Sequence, residues 1–311
     1  MARNGPSNPQ DGARPLTLWR LSDGKPGHDK QSLGLATALG RLVRTELHDI
    51  RLPRAGTGLG AWLTGRFAPG RDLPAPRLIL GAGHATHLPM LAARRAYGGR
   101  LVVLMKPSLP LTLFDLCLIP LHDRPPSRGN VIPTRGGLNT VVPGSAQDPG
   151  RGLMLVGGPS PHYRWDTQRV AGQIREIVAA EPAIRWTLST SRRTPADLPA
   201  GLEGLPGLTL LTHEQTPAGW LEAELARCGQ VWVTPDSVSM VHEALTAGCR
   251  TGLLELDADP ASRVARGVGD LLKDGYATSL AGWRNGRPLA APPHPLDESG
   301  RCARLILERW F

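Results

Sequence analysis

The sequence predicts an α/β protein of two Rossmann-like, doubly wound halves, and three observations carry that prediction. Short apolar runs alternate with longer amphipathic stretches along the chain. The apolar runs are nearly continuous, as strands are when helices cover both faces of a parallel sheet. A cluster of breaker residues, PGSAQDPGRG from Pro143 to Gly152, separates two series of similar length. Two such halves on one linker imply an interdomain cleft, lined by loops beyond the carboxyl ends of the strands.

The elements follow in order. Residues 1–15 are polar and rich in Gly, Pro and Asn, and read as a flexible tail. In the first domain, residues 16–142, Leu16 to Leu21 reads as a strand and SDGKPGH as a loop. Asp29 to Val43 reads as a helix with Leu33, Leu35, Ala36, Leu39 and Leu42 at its apolar positions. Leu78 to Gly83 is the next strand, leading into a helix through Arg95, and Leu101 to Met105 and Asp115 to Pro120 follow as strands. Residues 143–152 form the linker. In the second domain, residues 153–296, strands are expected at Leu153 to Gly158, Ile184 to Thr190, Leu208 to Leu211, Gln230 to Thr234 and Thr251 to Leu256. Helices are expected around Thr167 to Glu181, Ala218 to Cys228 and Ser237 to Ala247, and residues 297–311 form a closing helix.

Composition narrows the function. The 37 Gly and 30 Pro are many, but 41% hydrophobic content over 311 residues without repeats suits a folded chain, and that length favours two domains. With 36 bases against 27 acids the net charge is +9, which favours anionic partners. All of the bases are arginine except Lys25, Lys30, Lys106 and Lys273. Guanidinium groups bind phosphate in a bidentate manner, although a GC-rich coding sequence yields the same bias, so Arg abundance alone decides nothing. Cys117, Cys228, Cys249 and Cys302 never form a CxxC pair, which argues against a zinc site or a disulfide framework. No apolar run approaches the roughly 18 to 20 residues that span a bilayer, and the first residues lack a signal-peptide core. A cytoplasmic protein, peripheral at most to the inner face of a membrane, is expected.

Candidate residues lie in the loops after strands. In Ser22 to His28 two glycines free the backbone for close approach, and a helix start follows with Lys25 beside it, which suits an anion; an ordinary βα turn needs the same glycines. Asp23 and His28 are candidate general bases, since either type can accept a sugar hydroxyl proton. GAGHAT, from Gly81 to Thr86, lacks the third glycine and the acidic residue of a dinucleotide site, so NAD is disfavoured. His84 and His87 are three apart, with no carboxylate or thiol nearby to make a metal site. His122 and Asp123 end the strand DLCLIP and are further base candidates, converging only if a turn brings them together.

In the second half, Gly157, Gly158, Pro159 and Ser160 repeat the Gly-rich turn. Ser191, Arg192 and Arg193 follow a strand and offer hydroxyl and guanidinium groups to a diphosphate, against the alternative of a solvated arginine pair. Asp236, Ser237 and Ser239 gather at a helix start, where hydroxyls and free N–H groups bind phosphate, although capping alone explains them too. Glu243, four residues after Ser239, falls on the same face one turn deeper, where a carboxylate can accept ribose hydroxyls.

LSDGKPGHDKQSLGLATAL, LILGAGHATHLP, FDLCLIPLHDRPP, NVIPTRGGLNTV, LMLVGGPSPHYRWD, TSRRTP and VTPDSVSMVHEALTAG together resemble the mitochondrial fission ELM-one family of plants and proteobacteria, over about Leu18 to Leu256. Bacterial members include glycosyltransferases assigned to the lipopolysaccharide outer core, and some carry the label of nucleoside-diphosphate-sugar epimerase. The resemblance implies a GT-B-like fold with the sugar nucleotide held mainly by the second domain. Ser191, Arg192, Ser237, Ser239 and Glu243 would then contact the donor, and the loop from Asp23 to His28 would face the acceptor. The loop reads GKPGHDKQ where the family suggests GRPGNENQ, a departure that weakens the case for His28 as an essential family residue.

The sequence is therefore read as a metal-independent glycosyltransferase with a nucleoside-diphosphate sugar as substrate and no cofactor. Its partners would be that sugar nucleotide and a lipid-linked or lipopolysaccharide acceptor at the inner membrane, with no nucleic acid. An adaptor without chemistry and an epimerase on the same fold are the competing readings.

Overall fold

The computed structural model describes residues 14–53, 58–144 and 147–311. Of the expected tail, residues 1–13 lie outside the described residues, as do Ser145 and Ala146 of the expected linker. The chain divides into two compact units: residues up to 118 with 127–132 and 300–311, and residues 119–126 with 133–299.

The first unit opens with β1 (Leu16–Ser22), α1 (Pro26–Leu42), β2 (Thr45–Arg51) and α2 (Gly58–Thr64). It continues with β3 (Leu78–Ala82), α3 (His87–Tyr97), β4 (Arg100–Leu104), β5 (Leu116–Pro120) and β6 (Val131–Thr134). The sheet order is β2-β1-β3-β4-β5-β6, and β1 pairs in parallel with both β2 and β3. Every residue of β1 is buried, the polar Thr17, Arg20 and Ser22 among them, as befits a strand flanked by others on both sides. β2 escapes the sequence reading because it is an edge strand whose only buried residue is Ile50, so it has no apolar run to detect. Trp19 at the centre of β1 is fully buried, packs against Phe67 and Tyr97 with ring centroids 6.1 and 5.1 Å away, and donates its indole N–H to Pro74 O at 3.0 Å.

The second unit begins with β7 (Asp148–Val156), β8 (Tyr163–Arg164), α4 (Thr167–Ala180), β9 (Arg185–Thr190), α5 (Asp197–Leu202) and β10 (Leu208–Leu211). Then come α6 (Trp220–Leu225), β11 (Cys228–Val233), α7 (Val238–Ala247), β12 (Arg250–Leu253) and β13 (Asp257–Ala258). α8 (Arg263–Lys273), β14 (Thr278–Ser279) and α9 (Leu280–Arg284) complete it, and α10 (Glu298–Trp310) runs back into the first unit. The sheet order β10-β9-β7-β11-β12-β14 is the Rossmann order 3-2-1-4-5-6, and its pairings are parallel.

The boundaries differ from the sequence reading: residues 148–152, expected in the linker, are the first half of β7, and residues 119–126, with His122 and Asp123, and 133–142, expected in the first domain, belong to the second unit. Gly and Pro disguise the strand, but Gly152 has a packing reason: a Cβ there would lie 2.3 Å from the ring of Trp186, which sits beside it in register.

Alternation along the strands builds two cores on opposite faces of the second sheet. Leu153, Leu155, Val231 and Val233 join one apolar cluster with Val241 and Leu245 of α7. Met154, Val156 and Trp232 join the other with Ile174 and Ile177 of α4. Gly252 on β12 makes room for Trp232, whose ring lies 2.4 Å from where a Cβ would be. Gly252→Val should therefore overpack the sheet and destabilise the protein by about 1–3 kcal/mol, read as a lower denaturant midpoint. Gly172→Ala in α4, where a Cβ meets nothing within 4 Å, should be neutral or stabilising in the same measurement.

Candidate functional site

Each sheet has a topological switch point, where neighbouring strands send their connections to opposite sides and leave a crevice beyond their carboxyl ends. In the second unit these strands are β7 and β11. The turn after β7, the loop after β9 and the turn after β11 are bound to one another there. Gly157 N donates to Thr234 Oγ1 at 2.8 Å, and Gly158 N donates to Asp236 Oδ2 at 2.9 Å. Arg193 donates from Nη2 to the same Asp236 oxygen at 2.9 Å, and from Nη1 to Gly158 O and Pro159 O at 3.0 and 2.9 Å. Ser191 Oγ donates to Gly157 O at 2.9 Å, and Thr194 Oγ1 to Val156 O at 3.0 Å. Both glycines are required: a Cβ on Gly157 would lie 2.2 Å from Asp236 Oδ2, and one on Gly158 2.0 Å from Arg193 O.

These bonds change what several predicted donor ligands do. Asp236, with a fully buried carboxylate, together with Arg193 and Ser191, holds the three loops in register: Asp236 Oδ2, the Arg193 guanidinium and Ser191 Oγ are engaged within the protein, while Asp236 Oδ1 is buried with no hydrogen-bond partner among the described residues. Ser160 Oγ accepts from His162 N at 3.2 Å and shapes the turn after β7. Arg192, Ser237 and Ser239 remain at the surface, with Arg192 and Ser239 exposed. Glu243 is only 1% exposed. It follows Ser239 on the helix face, as the spacing predicts, but lies beneath the accessible tip.

α7 starts at this crevice. Ser237 is its N-cap without a side-chain cap bond, and the bond from Val241 N to Ser237 O closes the first turn. The amides ahead of it point out of the helix, where the dipole favours an anion. Beside this tip, within the second unit, lies a cavity of about 240 Å³ whose wall includes Val238, His242, His122, Arg135, Gly136 and Gly267. His242 has a buried Nδ1 without a hydrogen-bond partner among the described residues. Burial, with the nearby charge of His122 adding to it, pulls the His242 pKa down to about 4, so its ring is neutral at pH 7. Arg135 forms an ion pair with Asp274 and lies 5.1 Å from the centroid of the Tyr276 ring.

His122 and Asp123 fall in a single 3-10 turn, Leu121–Asp123, which brings His122 Nε2 to 3.9 Å from Asp123 Oδ2, too far for a hydrogen bond. Asp123 instead accepts from Arg263 at 3.2 Å. Burial lowers the His122 pKa; Asp123 opposes that shift, and Arg263 and His162 reinforce it. Sequence reading missed His242, Arg135 and Thr194. Only Gly136, at φ +77°, marks the approach of His242, whose Nε2 lies 2.1 Å from where its Cβ would be.

In the first unit the switch point lies between β1 and β3. Asp23 and His28 meet there, with Nδ1 2.9 Å from Oδ2 and the Asp23 side chain only 5% exposed. Burial pushes the Asp23 pKa up, but the hydrogen bonds from His28 and from the Lys25 amide outweigh it and hold the carboxyl below its ordinary value. An ionised Asp23 accepts from His28 Nδ1–H and leaves Nε2 as the basic nitrogen of the ring. Gly83, at φ +83°, lets the ring sit where a Cβ would be 2.3 Å from it. His84 is exposed, whereas His87 is buried against Ser108 at 3.2 Å, its pKa lowered to about 4 by burial and then by His84; the two do not share an accessible face.

A family model described as mitochondrial fission ELM1 matches residues 26–310. No curated protein sequence matches the chain. Among solved structures, a Listeria monocytogenes protein assigned as a UDP-N-acetylglucosamine 2-epimerase is 13% identical, with a TM-score of 0.56 over 94% of this chain and 95% of its own. The UDP-GlcNAc 2-epimerase of Neisseria meningitidis, bound to UDP-GlcNAc, is 10% identical with a TM-score of 0.53 over 94% and 99%. The glycotransferase of kitacinnamycin is 15% identical with a TM-score of 0.53 over 96% and 100%. At these identities the likeness establishes the fold, which is GT-B-like.

Two outcomes follow from the geometry. Asp236→Ala would strip the Gly158 amide and Arg193 of their shared acceptor and cost about 2 kcal/mol in a denaturant titration. His87 and His242 take up protons in the unfolded chain near pH 6.5 but in the folded one only near pH 4. Stability should therefore fall as pH drops through that window, by on the order of 3 kcal/mol per histidine. His242→Gln should flatten the stability-against-pH curve there.

Proposed function

The chain belongs to the mitochondrial fission ELM1 family, and from that premise we propose that it is a glycosyltransferase using a nucleoside-diphosphate sugar. One observation carries the reading: a Rossmann-ordered sheet whose switch point sets a glycine turn, an exposed Arg192 and the open tip of α7 side by side. The second unit would hold the donor, with its diphosphate on the α7 amides, Ser237, Ser239 and Arg192. The first unit would supply the base. As the acceptor oxygen bonds to the anomeric carbon and the bond to the diphosphate breaks, the hydroxyl proton passes to His28 Nε2, with Asp23 stabilising the imidazolium. The diphosphate leaves with its charge met by guanidinium and amide N–H groups, so the reading needs no metal ion.

The acceptor in this reading is a lipid-linked or lipopolysaccharide saccharide of the cell envelope, reached by a cytoplasmic protein peripheral to the inner membrane. Among the described residues no helix is long and apolar enough to cross a membrane.

Thermal shift with UDP-, GDP-, CDP- and dTDP-sugars tests donor binding. A bound donor at a hundredfold its Kd adds about 2.7 kcal/mol and raises the Tm. Arg192→Ala should weaken the best hit by about tenfold, the loss of a charge-assisted hydrogen bond. Asp23→Asn should leave donor binding intact and lower kcat by about 10²- to 10⁴-fold. An unshifted Tm with every donor would favour a non-catalytic adaptor, and release of an altered sugar nucleotide without acceptor would identify an epimerase.

A further inference from the structure

The first unit carries a second cavity, at the amino ends of its strands and so at the opposite edge of the sheet from Asp23 and His28. It measures about 220 Å³ and combines two chemistries. Three guanidinium-bearing residues line it: Arg14 ahead of β1, Arg44 ahead of β2 and Arg77 ahead of β3. Between them lie the apolar side chains of Leu16, Val43, Leu307 and Phe311, the last two brought by α10.

The backbone beneath is ordered: Leu16 N donates to Arg44 O and Arg77 N to Thr17 O, each at 2.9 Å. The Arg77 guanidinium lies 4.3 Å over the ring of Phe311, which is 49% exposed. The same face continues through Arg100 over Trp310 at 5.0 Å and through Leu42 and Leu47, which are 37% and 39% exposed. Arg14, Arg44, Arg77 and Arg100 have no carboxylate within ion-pair distance among the described residues. Elsewhere in the protein Arg135, Arg151, Arg169, Arg185, Arg263 and Arg284 each have one.

Three like charges around an apolar hollow repel one another and leave hydrocarbon wet, unless an occupant corrects both. Inorganic phosphate would leave the apolar wall exposed, and a neutral lipid would leave the guanidinium groups unpaired. We propose that this cavity seats an anionic lipid of a bilayer surface, its phosphate on Arg14, Arg44 and Arg77 and the first part of its tail over Leu16, Val43, Leu307 and Phe311. Trp310, Phe311 and the flanking arginines would lie at the headgroup level, where aromatic rings and long cationic side chains are each most stable. The site deepens the membrane part of the proposed function and is independent of its transfer chemistry, because it uses none of the donor or base residues.

Flotation of the full chain with phosphatidylcholine vesicles, with and without phosphatidylglycerol, tests it. The protein should float with the anionic vesicles alone. Arg14→Glu with Arg44→Glu, which leaves the Arg77–Phe311 stack in place, should reduce the bound fraction at least tenfold. Phe311→Ser should reduce it at unchanged charge, and both variants should keep the parent's Tm and its response to sugar nucleotides. Equal flotation of parent and double variant would overturn the site, as would no flotation of the parent. Binding of monomeric decyl phosphate without vesicle binding would assign the cavity to a free amphiphile and overturn the membrane source. A concentration-dependent dimer abolished by the same substitutions would assign it to a second copy of the chain instead.

Discussion

The Asp236 carboxylate is the interaction on which the candidate donor site depends. It has no exposure to solvent, and one of its oxygens accepts both the Gly158 amide and the Arg193 guanidinium. Three loops from three strands thereby share one anchor. An anion so deeply placed persists only because a cation and an amide compensate it, and the loops they belong to become rigid in consequence. That rigidity frees the neighbours: with Arg193 engaged, Arg192 is left outward, and with the turn after β11 pinned, the tip of α7 stays open.

The two units reach comparable local solutions by different strand orders. Each has a switch point between two central parallel strands, and each places a glycine where a functional side chain must come close, Gly83 under His28 and Gly157 under Asp236. Their electrostatics differ. The first unit pairs an ionised Asp23 with His28, an arrangement that fixes a tautomer, whereas the second buries His242 in its neutral form beside a cavity. A buried imidazole kept neutral adds no positive charge to the cavity wall at neutral pH, so the cationic character of that region rests on Arg135 and Arg263, both already paired with carboxylates.

Arginine is distributed by role. In the second unit many guanidinium groups are tied to acids and so serve the fold, while at the amino edge of the first sheet they stand over aromatic rings without acids. At that edge guanidinium groups without an ion pair among the described residues therefore meet exposed hydrocarbon. Global charge says only that anions are favoured; the local pairing says where.

Continuous apolar runs determined by themselves that strands such as β4, β5 and β11 lie inside parallel sheets, because burial on both faces leaves no polar alternation. Edge strand β2 and the glycine-bearing start of β7 were illegible for the complementary reason: one lacks a buried run, and the other trades side chains for the rings of its neighbours. At the candidate site, spacing was enough to place Ser237 at a helix tip, a relation local in the chain, whereas the contact of Asp23 with His28 appears only in the structure. Whether Asp236, Arg193 and Ser191 face a ligand or one another was decided only by the tertiary structure. Strand order alone sets β7 beside β11 and β9, and the contacts among their loops span tens of residues that no periodicity records.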